Sequence, residues 1–313
     1  MLIFAVIWFI LYLSASQHYW KDAMSISAWT HSDADQFPAL FPNSKRFSSV
    51  ISSVDTESFI LRSTKAKLLI AIGCAITSRK IRKVSESNIK DKFNFFYAFL
   101  STFCSTAAKG FIYKFYLAYD YSDRVFANKR LRNAFRLHFY NATLFGACRD
   151  RGITVTNLLF VKCNYNNKPA WAQNEAMLEA YIDHADYFYR INDDTMMLTG
   201  GWTEDFISTL NNYDPALVGV VGPNQHGGSR RDLTYDFVHR THVDIFGFYY
   251  PHVFTDWYAD TWITQVYRPN RSTKIRHSHL RHTLRFGQRY RVHGHVRERV
   301  RDQVDHDKVV ISQ

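Results

Sequence analysis

Tyr187-Phe188-Tyr189-Arg190-Ile191-Asn192-Asp193-Asp194-Thr195 is the stretch on which the reading of this chain turns. Its first five residues are an apolar run broken by one arginine, as in a buried strand, and an amide and two carboxylates follow at the exit. Such an oxygen-rich, anionic spot suits a hard divalent cation such as Mn²⁺ or Mg²⁺. A cation there can bridge the phosphates of a nucleotide and take up charge as a phosphate leaving group departs. Asn and Asp are also favoured where chains reverse, so Asn192-Asp193-Asp194-Thr195 by itself reads first as a turn. Its surroundings shift that balance.

Upstream, strand-like and helix-like segments alternate. Residues 67–76 are a continuous apolar run ending in Thr77-Ser78-Arg79, as expected of a strand buried on both faces. A helix is expected over 94–108, a second strand over 111–119 ending at Asp120, helical sequence over 124–149, and a third strand over 153–161. A helix over 171–184 then delivers the chain into 187–191. This alternation predicts an α/β fold with right-handed crossovers, a Rossmann-type, mostly parallel sheet flanked by helices. Ligands gather at the carboxyl ends of such strands, where Thr77, Ser78, Arg79, Asp120 and Asn192-Asp193-Asp194 all fall. No Gly-x-Gly-x-x-Gly element or Walker-type loop follows the first strand, which argues against dinucleotide oxidoreductases and P-loop enzymes.

Downstream, 216–223 reads as another buried strand and 224–232 as a polar loop suited to motion. The segment 250–263 is rich in acids and aromatics. Asp256 and Asp260 have i,i+4 spacing, so a helix would put both on one face. A carboxylate beside Trp257 and Trp262 can have a raised pKa and serve as a general base. The plainer reading is core tryptophans with solvated acids.

The chain has 313 residues, 46% of them hydrophobic, enough for one large core or two modest ones. Aromatic residues make up 16%, which permits stacking on sugars and bases but is also ordinary core composition. The net charge is +11, and residues 271–313 carry 11 Lys/Arg against 4 Asp/Glu, together with His277, His279, His282, His293, His295 and His306. A basic tail attracts polyanions, acidic glycans, nucleotide phosphates or anionic membranes. No zinc-finger, homeodomain or RNA-binding signature is present, so nucleic acid is not the expected partner. Cys74, Cys104, Cys148 and Cys163 lack Cys-x-x-Cys spacing, which argues against structural zinc; they allow two disulfides or buried thiols.

Residues 2–13 are continuously apolar, too short for a comfortable bilayer crossing of ~20 residues but of secretory length, and Ser14-Ala15-Ser16 offers small residues for cleavage. No Lys or Arg precedes them, and a buried strand or helix is the competing reading. The sequons at Asn141 and Asn270 are consistent with a lumenal chain. The expected organisation is a signal peptide or short signal-anchor over 1–16, a stem over 17–64, a catalytic domain over 65–290 and a basic tail over 291–313. The expected residence is the secretory pathway, in the Golgi or ER lumen, membrane-associated or secreted.

Taken in order, the strand ending Thr77-Ser78-Arg79, the strand ending Asp120, Trp171 and Asn174 on the next helix, Ala185-Asp186-Tyr187 leading into Asn192-Asp193-Asp194, and the Asp-Trp cluster at 256–262 resemble a GT-A-fold glycosyltransferase. The resemblance spans about 67–290. It implies a nucleotide-sugar donor, a UDP-sugar by preference, and a glycan or glycoprotein hydroxyl as acceptor. That fold's Asp-x-Asp motif holds the cation and the donor; here Asn192 replaces the first acid. The resemblance makes Asp194 the leading metal ligand, sets Asp193 near the metal and the ribose or donor sugar, and leaves Asn192 to hydrogen-bond. It gives Thr77, Ser78, Arg79, Asp120 and Asn174 to the nucleotide side and Asp260, with Asp256 second, to the catalytic base of an inverting reaction. His279 and His282 are candidates to complete the metal shell, and Arg289 in Gly287-Gln288-Arg289-Tyr290 to close over the phosphates. The alternatives are a noncatalytic glycan-binding protein of this fold and a metal-dependent nucleotidyl or phosphoryl transferase.

Overall fold

The computed structural model describes residues 67–226, 231–283 and 296–312. The segments 1–16 and 17–64, the sequence around Arg289, and His293 and His295 lie outside the described residues. Among those described, no helix is long and apolar enough to cross a membrane.

The strands are β1 (Leu69–Ile76), β2 (Ile112–Tyr119), β3 (Thr154–Lys162), β4 (Tyr187–Ile191), β5 (Thr195–Met197), β6 (Val220–His226), β7 (Phe237–His239) and β8 (Ser272–His282). They form one sheet in the order β3-β2-β1-β4-β7-β6-β8-β5. β1, β2, β3 and β4 are mutually parallel, β6 and β8 are parallel, and the β4–β7, β6–β7 and β5–β8 pairs are antiparallel. This is the expected α/β architecture, with its reversals confined to the second half.

The chain builds outward from β1 through β2 to β3, then returns to lay β4 on the other side of β1. Strand order therefore switches between β1 and β4, the kind of place at whose carboxyl ends α/β sheets bind ligands. The Asp186 carboxylate accepts the Leu69 N–H at 2.7 Å and fixes the two strands in register. The helix Pro169–Ile182 covers β1 and β2. Its approach is close because Gly73 has no side chain: a Cβ there would lie 2.5 Å from the sulfur and terminal carbon of Met177. On the opposite face Phe93, Phe95, Phe99, Phe103, Phe115, Phe135 and Phe139 pack edge to face in the main core.

Several elements depart from expectation. The helix expected over 94–108 is a π-helical segment, Phe95–Leu100, running into Ser101–Thr106. The sequence expected to be helical over 124–149 starts at Lys129, because Asn128 caps the N–H groups of Arg130 and Leu131, and breaks before Ala147–Asp150. The strand expected over 216–223 is displaced to Val220–His226, since Leu217 has φ +67° and its N–H bonds to Leu210, so the chain is not extended there. Within the segment 291–313, Val296–Ser312 is a helix whose Val300 and Val304 share a buried cluster with Trp262, Ile263 and Val266 of the Ala259–Val266 helix. Cys104 and Cys148 form a disulfide, and Cys74 and Cys163 are buried thiols.

Candidate active site

The acidic loop is built by its neighbours. Gln173 donates to the Ile191 carbonyl at 3.2 Å, and Asn192 and Thr195 close a turn through the Asn192 N–H to the Thr195 hydroxyl and the Thr195 N–H to the Asn192 carbonyl. The Asp194 carbonyl accepts both the N–H and the hydroxyl of Thr283, at 3.0 and 3.2 Å. Antiparallel pairing of β5 with β8 sets Thr195 opposite His282. His282 Nδ1 consequently lies 3.5 Å from the Asp194 carboxylate, and the Tyr235 hydroxyl is 2.9 Å from the same imidazole. Asn192 donates to that hydroxyl at 3.5 Å, and Asp193 is buried.

His282 and His279 are three residues apart on one strand, so they face opposite sides. His279 stacks near His226, centroids 5.1 Å apart, and its Nδ1 is 3.5 Å from Asn224 Nδ2. Only His282 joins the acidic loop. Among the described residues no three His, Cys, Asp or Glu side chains gather as a closed cage. A carboxylate with one imidazole does not fit a structural metal. It fits a cation that takes its remaining ligands from phosphates and water.

A cleft of about 300 Å³ opens at the ends of β1 and β2, lined by Ser78, Arg79, Lys80, Asp120, Asp123 and Arg124 among others. Asp123, which the sequence did not single out, organises it. Its carboxylate accepts the Thr77 hydroxyl, the Ser78 N–H and hydroxyl, and the N–H groups of Val125 and Phe126. The hydroxyls of Thr77 and Ser78 therefore shape the loop. Asp120 is buried, 3.6 Å from Arg79, and accepts the Asn167 N–H. Burial raises its pKa, opposed by that N–H and by Arg79.

Asn174 lies elsewhere than expected. It is buried, and its side-chain amide oxygen accepts the N–H groups of Tyr249 at 2.7 Å and Tyr250 at 3.3 Å, so it braces a loop. His242 supports the same loop, 2.8 Å from the Tyr249 carbonyl and from the Tyr267 hydroxyl, and burial lowers its pKa to about 4.

The braced tyrosines serve a buried acid. The hydroxyls of Tyr249 and Tyr250 both donate to Asp236, whose pKa burial raises to about 6 against the lowering effect of Arg190 and the two hydroxyls. Asp260 stands in the first turn of the Ala259–Val266 helix. It accepts the Thr234 hydroxyl at 3.1 Å and the Thr261 N–H at 2.9 Å. Burial raises its pKa, with Arg190 opposing and Asp232 adding to the rise. The helix begins after Asp256, so the expectation that both acids share a helical face is wrong; the Asp256 carboxylate instead accepts the N–H of Trp257 at 2.6 Å.

Arg190, Thr234, Tyr235 and Asp236 were not picked out in the sequence. A charge within an apolar strand was the available signal, since such a group is rarely buried without partners.

No protein-family model matches the chain, and no curated protein sequence does. Among solved structures it is similar to S. aureus TarS residues 1–349, with 10% identity over 77% of this chain and 65% of that one, TM-score 0.47. It is similar also to a longer S. aureus TarS chain, with 10% identity over 78% of this chain and 42% of that one, TM-score 0.46. A third is the glycosyltransferase GlyE of Streptococcus pneumoniae, with 9% identity over 68% of this chain and 45% of that one, TM-score 0.34. The chain thus spans less than two thirds of each of these chains, and no site residue is carried over from them.

Proposed function

We propose that this chain is a glycosyltransferase that moves a sugar from a nucleotide-sugar, a UDP-sugar by preference, to a hydroxyl of a glycan or glycoprotein, with inversion at the anomeric carbon. What supports the reading is one three-residue stretch, Thr234-Tyr235-Asp236. Tyr235 meets His282 and Asn192 on the acidic-loop side, while the Thr234 hydroxyl holds Asp260. An acidic loop and a carboxylate with a raised pKa are thereby tied to one short segment, as a displacement that uses both would need.

In this reading Asp194 and His282, with Asp193, would hold Mn²⁺ or Mg²⁺. When bound, the cation neutralises charge on the departing diphosphate. Arg79 and Asp120 line the nucleotide side of the cleft. Asp260 takes the proton of the attacking hydroxyl, its raised pKa bringing its basicity nearer to neutral pH. Residues 65–290 together with the Val296–Ser312 helix are assigned to the catalytic domain, and 1–16 and 17–64 to a secretory leader or anchor and a stem. Residence in the ER or Golgi lumen accords with the Cys104–Cys148 bond, which forms in oxidising compartments.

The test is a panel of nucleotide-sugars, with Mn²⁺ or Mg²⁺ and glycan acceptors, followed by NMR of the product. Transfer with inverted configuration is the expected result. Nucleotide binding without transfer from any donor would favour a noncatalytic binder, and transfer of a phosphoryl or nucleotidyl group would replace the reading outright.

A further inference from the structure

Arg190 is the one charged residue of β4. Its Nη1 donates to the Thr234 carbonyl at 2.6 Å, and its backbone N–H to the Asp236 carbonyl at 2.9 Å. Its Nε is enclosed and has no hydrogen-bond partner. The guanidinium lies 5.9 Å from the centre of the Tyr235 ring. Thr234, whose carbonyl anchors the guanidinium, is the residue whose hydroxyl donates to Asp260. One partly buried cation thus stands among the buried Asp236, the partly buried Asp260 and three tyrosines, and the Tyr249 and Tyr250 hydroxyls already satisfy Asp236. In a medium of low polarizability such a charge is felt well beyond contact distance.

We propose that Arg190 is a positioning residue for the reaction: anchored on Thr234 and backed by Asp236, it supplies the positive charge against which Asp260 works as a base. The inference rests on the reading of Asp260 given above. The groups facing Asp260 include Arg190 from β4, Asp232, Thr234 and Asp236 from the preceding segment, Tyr250, and Thr261 from its own helix. Among these Arg190 is the cation, and it opposes both burial and Asp232. Lys274 donates to the Asp232 carbonyl at 3.1 Å, which draws that lysine toward Asp232. Asp236 makes Arg190 hard to displace, because moving the guanidinium would leave a buried carboxylate without its countercharge.

The full chain is tested as wild type, Arg190→Gln and Arg190→Lys. Two readouts are taken: the pH profile of sugar transfer, and the titration of the Asp260 carboxyl carbon by NMR, assigned with Asp260→Asn. In Arg190→Gln the acid limb of the profile and the carboxyl titration should both move up by at least one pH unit, so that transfer on the acid side of the limb falls by about tenfold per unit moved while donor KM changes little. Arg190→Lys should recover most of the shift. A folded Arg190→Gln with an unmoved profile and titration overturns the proposal.

Should Arg190→Gln not fold, the wild-type chain still decides. The Arg190 side-chain nitrogen resonance should titrate with the Asp260 carboxyl and lose that step in Asp260→Asn; indifference of Arg190 to Asp260 overturns the coupling. Wild-type chain that shows coupled titrations but transfers no sugar sinks the transferase reading. Transfer with uncoupled titrations sinks the role of Arg190 alone.

Discussion

Trp262 donates its indole N–H to the Asp307 carboxylate at 2.9 Å across a sequence separation of 45 residues. Asp307 is buried and also accepts the Gln303 amide, and His306 Nδ1 lies 2.8 Å from its other oxygen. The contact joins the Val296–Ser312 helix to the one whose first turn carries Asp260. Asp307→Ala should cost about 1–3 kcal/mol in urea unfolding, the scale of leaving a buried donor unpaired. Transfer should fall further than stability alone explains, measured at a temperature where the variant is fully folded. Unchanged turnover in that variant would detach the helix from the site.

The opposite faces of His279 and His282 make a paired test of the metal assignment. Asp194→Asn and His282→Ala should each weaken Mn²⁺-dependent binding of a nucleoside diphosphate by about tenfold or more in calorimetry. His279→Ala should leave it within about twofold, the ordinary scatter of single-site effects. Equal losses at the two histidines would mean that the site lies elsewhere.

Asp236 imposes a pH dependence on stability. Its folded pKa of about 6 exceeds the unfolded value of 3.8, so the native state holds the extra proton between those limits. This contribution is fully present below about pH 4, declines as pH rises to about 6, and is flat above that. It amounts to a decline on the order of 3 kcal/mol. Denaturant melts from pH 4 to 7 should show that decline in wild type and a shallower one in Asp236→Asn.

Asp260→Asn keeps size and removes basicity, so transfer should drop by roughly 10²-fold or more with donor binding little changed. Asp256→Asn should be milder, since that carboxylate caps its own turn. The reverse order of effects would exchange their roles, and a retained anomeric configuration would remove the base mechanism altogether.

How far the sequence carried depended on how each element announces itself. β1, β2 and β4 were legible because central parallel strands read as largely apolar runs, and the edge strand β3 because it keeps an apolar stretch, Leu158-Leu159-Phe160-Val161. β5 and β7 are three residues long, too short to show any period. β8 reads Ser-Thr-Lys-Ile-Arg-His-Ser-His-Leu-Arg-His, with Ser278 and Leu280 its buried positions, so its charges disguised a strand as part of a basic tail. At the site, Asp193 and Asp194 were visible as an acidic pair at a strand end. Asp123 was not, because its importance lies in five hydrogen-bond donors that only the folded loop brings to it. Arg190 was visible as an anomaly without an explanation, since its partners at 234–236 are distant in sequence.

Both cysteines of the Cys104–Cys148 bond precede Asn192 in the chain, so their order permits the bond to close before the acidic loop folds. The helices Ser101–Thr106 and Ala147–Asp150 can therefore be covalently joined on a nascent chain, while the segment carrying Thr234 and Asp260 is still unmade. A host that oxidises thiols as the polypeptide emerges supplies that lock at the right moment. One that exposes the finished chain to oxidant must distinguish this pair from Cys74 and Cys163, whose thiols are accessible only until the core closes over them.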